Sequence, residues 1–546
     1  MKPVKPTLVL VGQVVVAADA TGLETAEALA IGGGRVLAIG GRREIVEAAG
    51  GARVVSADGA TIVPGLHDFH LHLVGMARAR RIVDLSGAST MNEVVERLSP
   101  TVARLGAGDW VRGDGWSSEA LDRRQLHRLE DLLAGRPALL RSHDHHSAWA
   151  SFAAREVAGV GETTLDPAGG RIERGADGAP DGVLREQAVD LVADRAPRLS
   201  GDALAVALVE VAQELVALGV TGATDAGDSS TAGGYGRFAE LGDSFSSLAD
   251  AGDALGGRLR LNVDLPAAGL AAAAGLELTA GSPVTEDGLL RVGWAKVYAD
   301  GALGSRTAAL FDPYRCEGAS DVRETGILRV STDELDALLG EAAAAGIGLA
   351  IHAIGDRAVA TVLDAIAHRK SDAAGGPHRI EHAQLVRVAD RPRFAELGVT
   401  ASLQPIHLPG DRAMAELCWG DRLGEAYPWR SLASVGALLA FGSDAPIETA
   451  NPWLGIHAAV RRCLPGERPP AWGRDEALDL PAALGAYTLG PARAAHRADL
   501  GHLRPGARAD LAVLNTDLRT MLAADERLAS IRSRLTLVEG REVHAE

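Results

Sequence analysis

Ser331-Thr332-Asp333-Glu334, followed by Leu335 and ending some twenty residues later at Gly348-Leu349-Ala350-Ile351-His352, is the stretch that decides the fold. The first four residues form a capping box, in which a hydroxyl and a carboxylate three residues apart satisfy two free backbone N–H groups. Leu335, Leu338, Leu339 and Ala342 continue at helical spacing, Gly346 supplies the C-terminal turn, and an apolar strand then leads into His352. The same order recurs. Arg391 to Leu397 is closed by Gly398 and followed by Val399 to Leu403, and Trp429 to Val435 is closed by Gly436 and followed by Ala437 to Phe441. Helix, glycine, apolar strand and polar tip are the pattern of a parallel β/α architecture. Counting outward predicts strands near 63–72, 220–225, 259–264, 292–299, 348–352, 378–382, 399–404 and 437–444. Eight strands suffice to close a TIM-like (β/α)8 barrel, whose active site is built at the C-terminal strand ends.

Those ends carry chemistry. In Pro64-Gly65-Leu66-His67-Asp68-Phe69-His70-Leu71-His72, alternate side chains of a strand share a face, so His70 and His72 point the same way, about 7 Å apart, and can grip one metal ion. Alone, such a pair is a weak signal. It gains weight because His352, His382 in Ile380-Glu381-His382 and Asp444 in Gly442-Ser443-Asp444-Ala445-Pro446 end other predicted strands. A further element is Lys296, within Val292-Gly293-Trp294-Ala295-Lys296-Val297-Tyr298. The chain has only three other lysines, Lys2, Lys5 and Lys370, and arginine supplies nearly all remaining positive charge. Arginine cannot lose its proton in a protein, whereas a buried lysine can become a nucleophilic amine. Such an amine can take up carbon dioxide as a carbamate whose two oxygens bridge two metals.

Length, charge and cysteines bound the rest. A chain of 546 residues exceeds one core, so more than one domain is expected. The gap of roughly 76–215 between the first two barrel strands is too long for one crossover and reads as an inserted α+β subdomain overhanging the mouth. Strand and turn signals at both ends, Thr7 to Val16, Ala28 to Ala38, Leu503 to Leu514 and Thr536 to Gly540, predict a small β-sandwich. The expected domains are therefore 1–62 and 497–546 for the sandwich and 63–496 for the barrel. A net charge of −17 disfavours nucleic acid and anionic membranes as partners. Cys316, Cys418 and Cys463 are too few and scattered for a disulfide framework, which fits a reduced cytoplasm. Lys2, Lys5 and the apolar run Leu8 to Ala17 imitate a secretory signal, but Gln13 interrupts the run and a second strand-like segment follows at once.

Taken in order, Pro64 to His72, the lysine strand with Asp300-Gly301 beyond it, Ile351 to Asp356, Arg379 to Ala383, Gly442 to Pro446 and Leu503 to Leu514 resemble the metal-dependent amidohydrolase superfamily. Ser305-Arg306-Thr307-Ala308, His352 to Ala358 and Gln404-Pro405-Ile406-His407 resemble more narrowly its family 3, the branch that includes N-substituted formamide deformylases. The resemblance implies that His70 and His72 bind one divalent ion with Asp444, that His352 and His382 bind a second, and that Lys296, as N6-carboxylysine, bridges both. Zinc is the expected metal. It further implies that the ions share a water, lowering its pKa from 15.7 toward about 7. Asp444 would serve as general base toward that hydroxide and then as acid toward the departing nitrogen. The expected activity is hydrolysis of a non-peptide carbon–nitrogen bond in a small N-acyl, N-formyl or cyclic amide. A deaminase, a lactonase, or a non-hydrolytic decarboxylase or isomerase on the same barrel is the alternative, because fold does not fix reaction. Trp116, His146, Arg306 and His407 are substrate-pocket candidates. His67 reads as a mouth-facing or supporting residue, and His143-Asp144-His145-His146 as a rival metal cluster that lies outside the ligand set. Gly-x-Ser-x-Gly, Gly-Lys-Ser/Thr and His-Glu-x-x-His motifs are absent from the sequence. A homodimer is the default assembly.

Overall fold

In the computed structural model the eight strands form one parallel sheet in chain order: β1 (Leu66–Leu71), β2 (Val220–Asp225), β3 (Arg260–Pro266), β4 (Leu290–Tyr298), β5 (Leu349–Ala353), β6 (Arg379–His382), β7 (Thr400–Leu403) and β8 (Leu439–Phe441). The structure describes residues 4–106, 108–116, 123–142, 147–167, 170–175, 177–197, 199–227, 236–315, 325–369, 377–521 and 526–546. Backbone hydrogen bonds join the last strand to the first. The N–H groups of Ser443 and Asp444 donate to the His70 carbonyl at 3.1 and 2.7 Å, and His72 N–H donates to Ala445 at 2.8 Å. The sheet is thus a nearly closed barrel whose carbonyl end is gathered around His70.

The helix Thr332–Ala345 shows both bonds of its capping box and ends at Gly346, whose φ of 63° is one that a side chain would resist. One boundary differs from the sequence reading. The predicted strand 63–72 is two strands: Arg53–Pro64 belongs to another sheet, and the chain passes into β1 at Gly65. A Cβ there would stand 1.9 Å from Thr221 Oγ1, so only glycine allows this transfer so close to β2.

The other sheet unites both ends of the chain, in the order Arg541–Ala545, Ser533–Val538, Leu511–Leu514, Arg53–Pro64, Leu8–Asp19, Gly22–Gly32 and Arg35–Gly40. Leu10, Val14, Leu29, Ile62, Leu511 and Leu537 fill its core. It is fastened under the barrel where Arg260, at the start of β3, reaches Asp510 at 2.9 Å and Glu539 at 3.3 Å.

Ala77–Ala203 is a second compact unit, described by itself. Its six-stranded sheet runs Gly170–Arg174, Pro180–Glu186, Ser147–Ala150, Ala138–Ser142, Val111–Trp116 and Val83–Asp84. Cys463 is a free, buried thiol and Cys418 is disulfide-bonded, a cross-link that the spacing of the cysteines did not indicate. Among the described residues no helix is long and apolar enough to cross a membrane.

Candidate metal centre

His70, near the end of β1, is 1% exposed and engaged on both ring nitrogens. Nδ1 lies 2.5 Å from Glu381 Oε2, and Nε2 lies 3.3 Å from Asp444 Oδ1. With Nδ1–H given to Glu381, the Nε2 lone pair faces a carboxylate. That juxtaposition calls for one positive charge between the two, a proton in the free protein or a metal ion when bound. Burial and Lys296 push the His70 imidazole down, but Glu381 and Asp444 outweigh them and its pKa is raised.

The same construction repeats on β5 and β6. His382 Nδ1 is 2.8 Å from Gln404 Oε1, and His352 Nε2 is 2.9 Å from the Gly301 carbonyl. Burial brings His352 down to about 4 and His382 well below its ordinary value, so both are neutral at pH 7 and each donates its outer N–H. Each therefore turns a lone pair toward the middle, where the His352 and His382 rings stand 4.6 Å apart and the His70 and His382 rings 5.0 Å apart. A metal-ligating histidine commonly has its second nitrogen tied in this way.

Asp444 completes the arrangement. Its Oδ1 is 3.1 Å from His72 Nε2 and its Oδ2 is 3.2 Å from His407 Nε2. Burial would raise its pKa, but His70 and the bonds from His407, His70 and His72 hold it well below the usual carboxylate range. Donor atoms of His70, His72 and Asp444 lie within 4.8 Å of one another, as do those of His382, His407 and Asp444. Ligand atoms around a tetrahedral zinc at its usual bond lengths stand about 3.3 Å apart. The donor set, nitrogen and carboxylate oxygen with inward lone pairs, fits a divalent ion.

Lys296, on β4, is 3% exposed, with Nζ 5.2 Å from the centroid of the Tyr298 ring. Burial lowers its pKa against the pull of Glu381 and Asp444, which eases loss of the ammonium proton. Two backbone features aim the ligands. His382 and Asp444 both have positive φ, 72° and 59°, a conformation costing about 1–3 kcal/mol that clusters at functional sites. Gly442 lets β8 pass His70, since a Cβ there would stand 2.4 Å from the His70 nitrogen. Gly442→Ala is expected to destabilise the fold by about 1–3 kcal/mol, read as a lower melting temperature, and to weaken metal binding.

Beneath the ligands runs a chain of buried charge. Arg379 lies between the rings of Phe69 and Trp294, 4.6 and 4.3 Å from their centroids, and bonds Glu381 on one side and Asp264, at 2.5 Å, on the other. Burial would raise the Glu381 pKa, but Arg379 and His70 hold it well below the ordinary value. Asp300, fully buried, accepts the N–H groups of Ile354, Gly355 and Ala309 at 2.8–3.0 Å, fixing the loop beyond β4 against His352. The sequence reading did not assign Glu381, Gln404, Arg379, Asp264 or Asp300. Glu381 precedes His382 in the sequence, but strand alternation sets neighbouring residues on opposite faces, so the adjacency gives it no role.

The remaining candidates fall in different places. His67 does not face the mouth: it lies at the start of β1, bonds Thr224 Oγ1 at 2.9 Å and lines a cavity of about 30 Å³ with Arg260 and Asn262. Burial and Arg260 bring it down to about 3. Trp116 is 5% exposed in the core of the Ala77–Ala203 unit, its Nε1 donating to Leu140 O at 2.8 Å. Arg306 is half-buried in the turn after β4 with a φ of 55°. His146 and the cluster around it lie outside the described residues.

A barrel with imidazoles and an aspartate gathered at its carbonyl end has the donor set of a divalent-metal site. A model of the amidohydrolase family matches residues 53–544. YtcJ of Bacillus subtilis (strain 168) is 32% identical over 90% of both chains, and the N-substituted formamide deformylase of Arthrobacter pascens is 29% identical over 86% of both. The crystal structure of an uncharacterized metal-dependent hydrolase from Pyrococcus furiosus superposes with a TM-score of 0.75 at 27% identity, covering 93% of this chain and 99% of that one. This chain belongs to the amidohydrolase family and is an enzyme.

Proposed function

We propose that the protein hydrolyses a non-peptide carbon–nitrogen bond in a small molecule, an N-acyl, N-formyl or cyclic amide, at a centre that takes two divalent ions, with zinc the first choice. The observation that carries this reading is the set of three imidazoles, His70, His352 and His382, each with its outer nitrogen tied and its lone pair turned inward beside Asp444. His70, His72 and Asp444 would hold one ion, His352 and His382 the other, and a carbamate on Lys296 both. The ions, when bound, make water acidic enough to supply a nucleophile near neutral pH and polarise the substrate carbonyl.

The residues of the chain do the rest. The Lys296 amine, once neutral, attacks the carbon of carbon dioxide; an N–C bond forms, one carbon–oxygen π pair moves to oxygen and the amine proton leaves to water. Asp444 accepts a proton from the attacking water and returns it to the departing nitrogen, so that acid and amine leave together. Glu381 and Gln404 keep the imidazoles from turning. The similarity to an N-substituted formamide deformylase supports an amide as substrate.

Dialysis against a chelator is expected to abolish turnover, and about two equivalents of zinc or manganese per chain to restore it. The substrate screen sets metal-loaded protein against N-formyl amines, N-acyl amino acids, lactams and lactones, following release of acid and amine. Turnover of lactones alone, or one ion per chain at full activity, would overturn the proposal.

A further inference from the structure

We propose that His407 is a positioning residue for Asp444, donating from Nε2 to Oδ2 and so fixing the carboxylate oxygen that the ligand histidines leave over. The inference rests on the reading of Asp444 as ligand and base. The two oxygens of Asp444 divide their neighbours: Oδ1 meets His70 and His72, at 3.3 and 3.1 Å, whereas Oδ2 meets His407 at 3.2 Å.

The competing assignment makes His407 a metal ligand, since His382, His407 and Asp444 are close enough together to share an ion. The division of the two oxygens argues against it. His70, His352 and His382 each give their outer nitrogen to an acceptor, Glu381, Gly301 or Gln404, which turns a lone pair inward. Among the described residues nothing accepts from the Nδ1 of His72 or of His407, so for these two the carboxylate contact decides: His72 shares Oδ1 with the ligand His70, whereas His407 alone meets Oδ2. The tautomer that suits this contact carries its proton on Nε2.

His407 is also held in place. It opens the helix His407–Cys418 and is 8% exposed. One turn on, Asp411 Oδ2 accepts from Gln384 Nε2 at 2.9 Å and from Tyr427 Oη at 2.8 Å, fastening the helix to the segment just past His382. Gln404 and His407 are the two ends of the four-residue segment after β7: one end holds the ligand His382 and the other holds the base. Asp444 sits at a positive φ, a backbone conformation that persists only where the surroundings hold it.

The test compares wild type with His407→Ala and His407→Gln, whose amide N–H can reach the place of Nε2. Three readouts are taken: ions per chain by elemental analysis, the visible spectrum of the cobalt(II)-loaded protein, and kcat and KM on a substrate found in the screen. His407→Ala is expected to keep the wild-type ion count, shift the cobalt bands and lower kcat about 100-fold with KM nearly unchanged. His407→Gln is expected to recover about tenfold of that loss. An ion lost from both variants would make His407 a ligand and overturn the proposal. So would a raised KM at unchanged kcat, which marks a substrate contact, or cobalt bands and kcat that do not move. A wild type that binds its ions yet cleaves no amide would sink the proposed function instead, leaving ion count and cobalt spectrum to judge His407.

Discussion

Lys296→Ala is expected to yield a folded barrel that retains at most one tightly bound ion and turns over no substrate. The side chain is buried beside the centre, and in the proposed arrangement its carbamate would supply the two-oxygen anion that joins the two imidazole sets. Alanine removes an amine whose burial is unfavourable in any case, so the melting temperature of the metal-free protein should fall little or rise. Elemental analysis and calorimetry of the metal-free and metal-loaded forms check the two halves separately. Acetate or propionate, soaked into the vacated volume, is expected to restore part of the second ion and of the activity, because a free carboxylate supplies the same pair of oxygens. Full ion content in the variant without such rescue would leave the lysine with no role in the centre.

Glu381→Gln is expected to be the most destabilising single substitution near the site. It keeps the shape but removes the negative charge that Arg379 and His70 share, leaving a guanidinium in a fully buried position with Asp264 as its remaining carboxylate. Breaking a buried ion pair on one side costs about 3–5 kcal/mol. The second effect is on the metal: His70 loses the acceptor that orients its ring, which lowers metal affinity about 10–100-fold. Denaturant unfolding of the metal-free protein measures the first and metal titration of the folded protein the second. A triple variant, Asp264→Asn, Arg379→Met and Glu381→Gln, which removes every charge of this buried chain, should regain stability without regaining affinity, separating charge burial from ligand orientation.

The barrel was legible because its helices announce themselves. The capping box at Ser331 and Glu334 and the glycines closing successive helices are local signals, and the strands between them are apolar runs of ordinary length. The edge of β1 was not legible, since Val63 and Leu66 look alike in sequence and only the pairing of Pro64 with Leu511 assigns them to different sheets. The short strands of the Ala77–Ala203 unit, two to seven residues long, carry too few side chains for periodicity to show. In the site, His70, His72, His352, His382, Lys296 and Asp444 stand out as candidates because each lies in or just past a strand recognisable from its apolar run. Glu381 does not. Strand alternation places it on the opposite face from His382, and it is the left-handed backbone at His382 that lets neighbouring residues serve one centre. Arg379 with Asp264 and Gln404 with His382 are likewise tertiary pairings between different strands, which no local pattern foretells.

The strand Arg53–Pro64 finds one neighbour in Leu8–Asp19, at hand from the start, and the other in Leu511–Leu514. On a ribosome adding about 5–20 residues per second, the wait between the two is roughly 20–90 s. During that interval one edge of the strand is without its native neighbour, and such an edge can zip onto another chain. Polypeptides cut short ahead of Leu511 should clump, and the clumping should cease when the missing hairpin is supplied in trans.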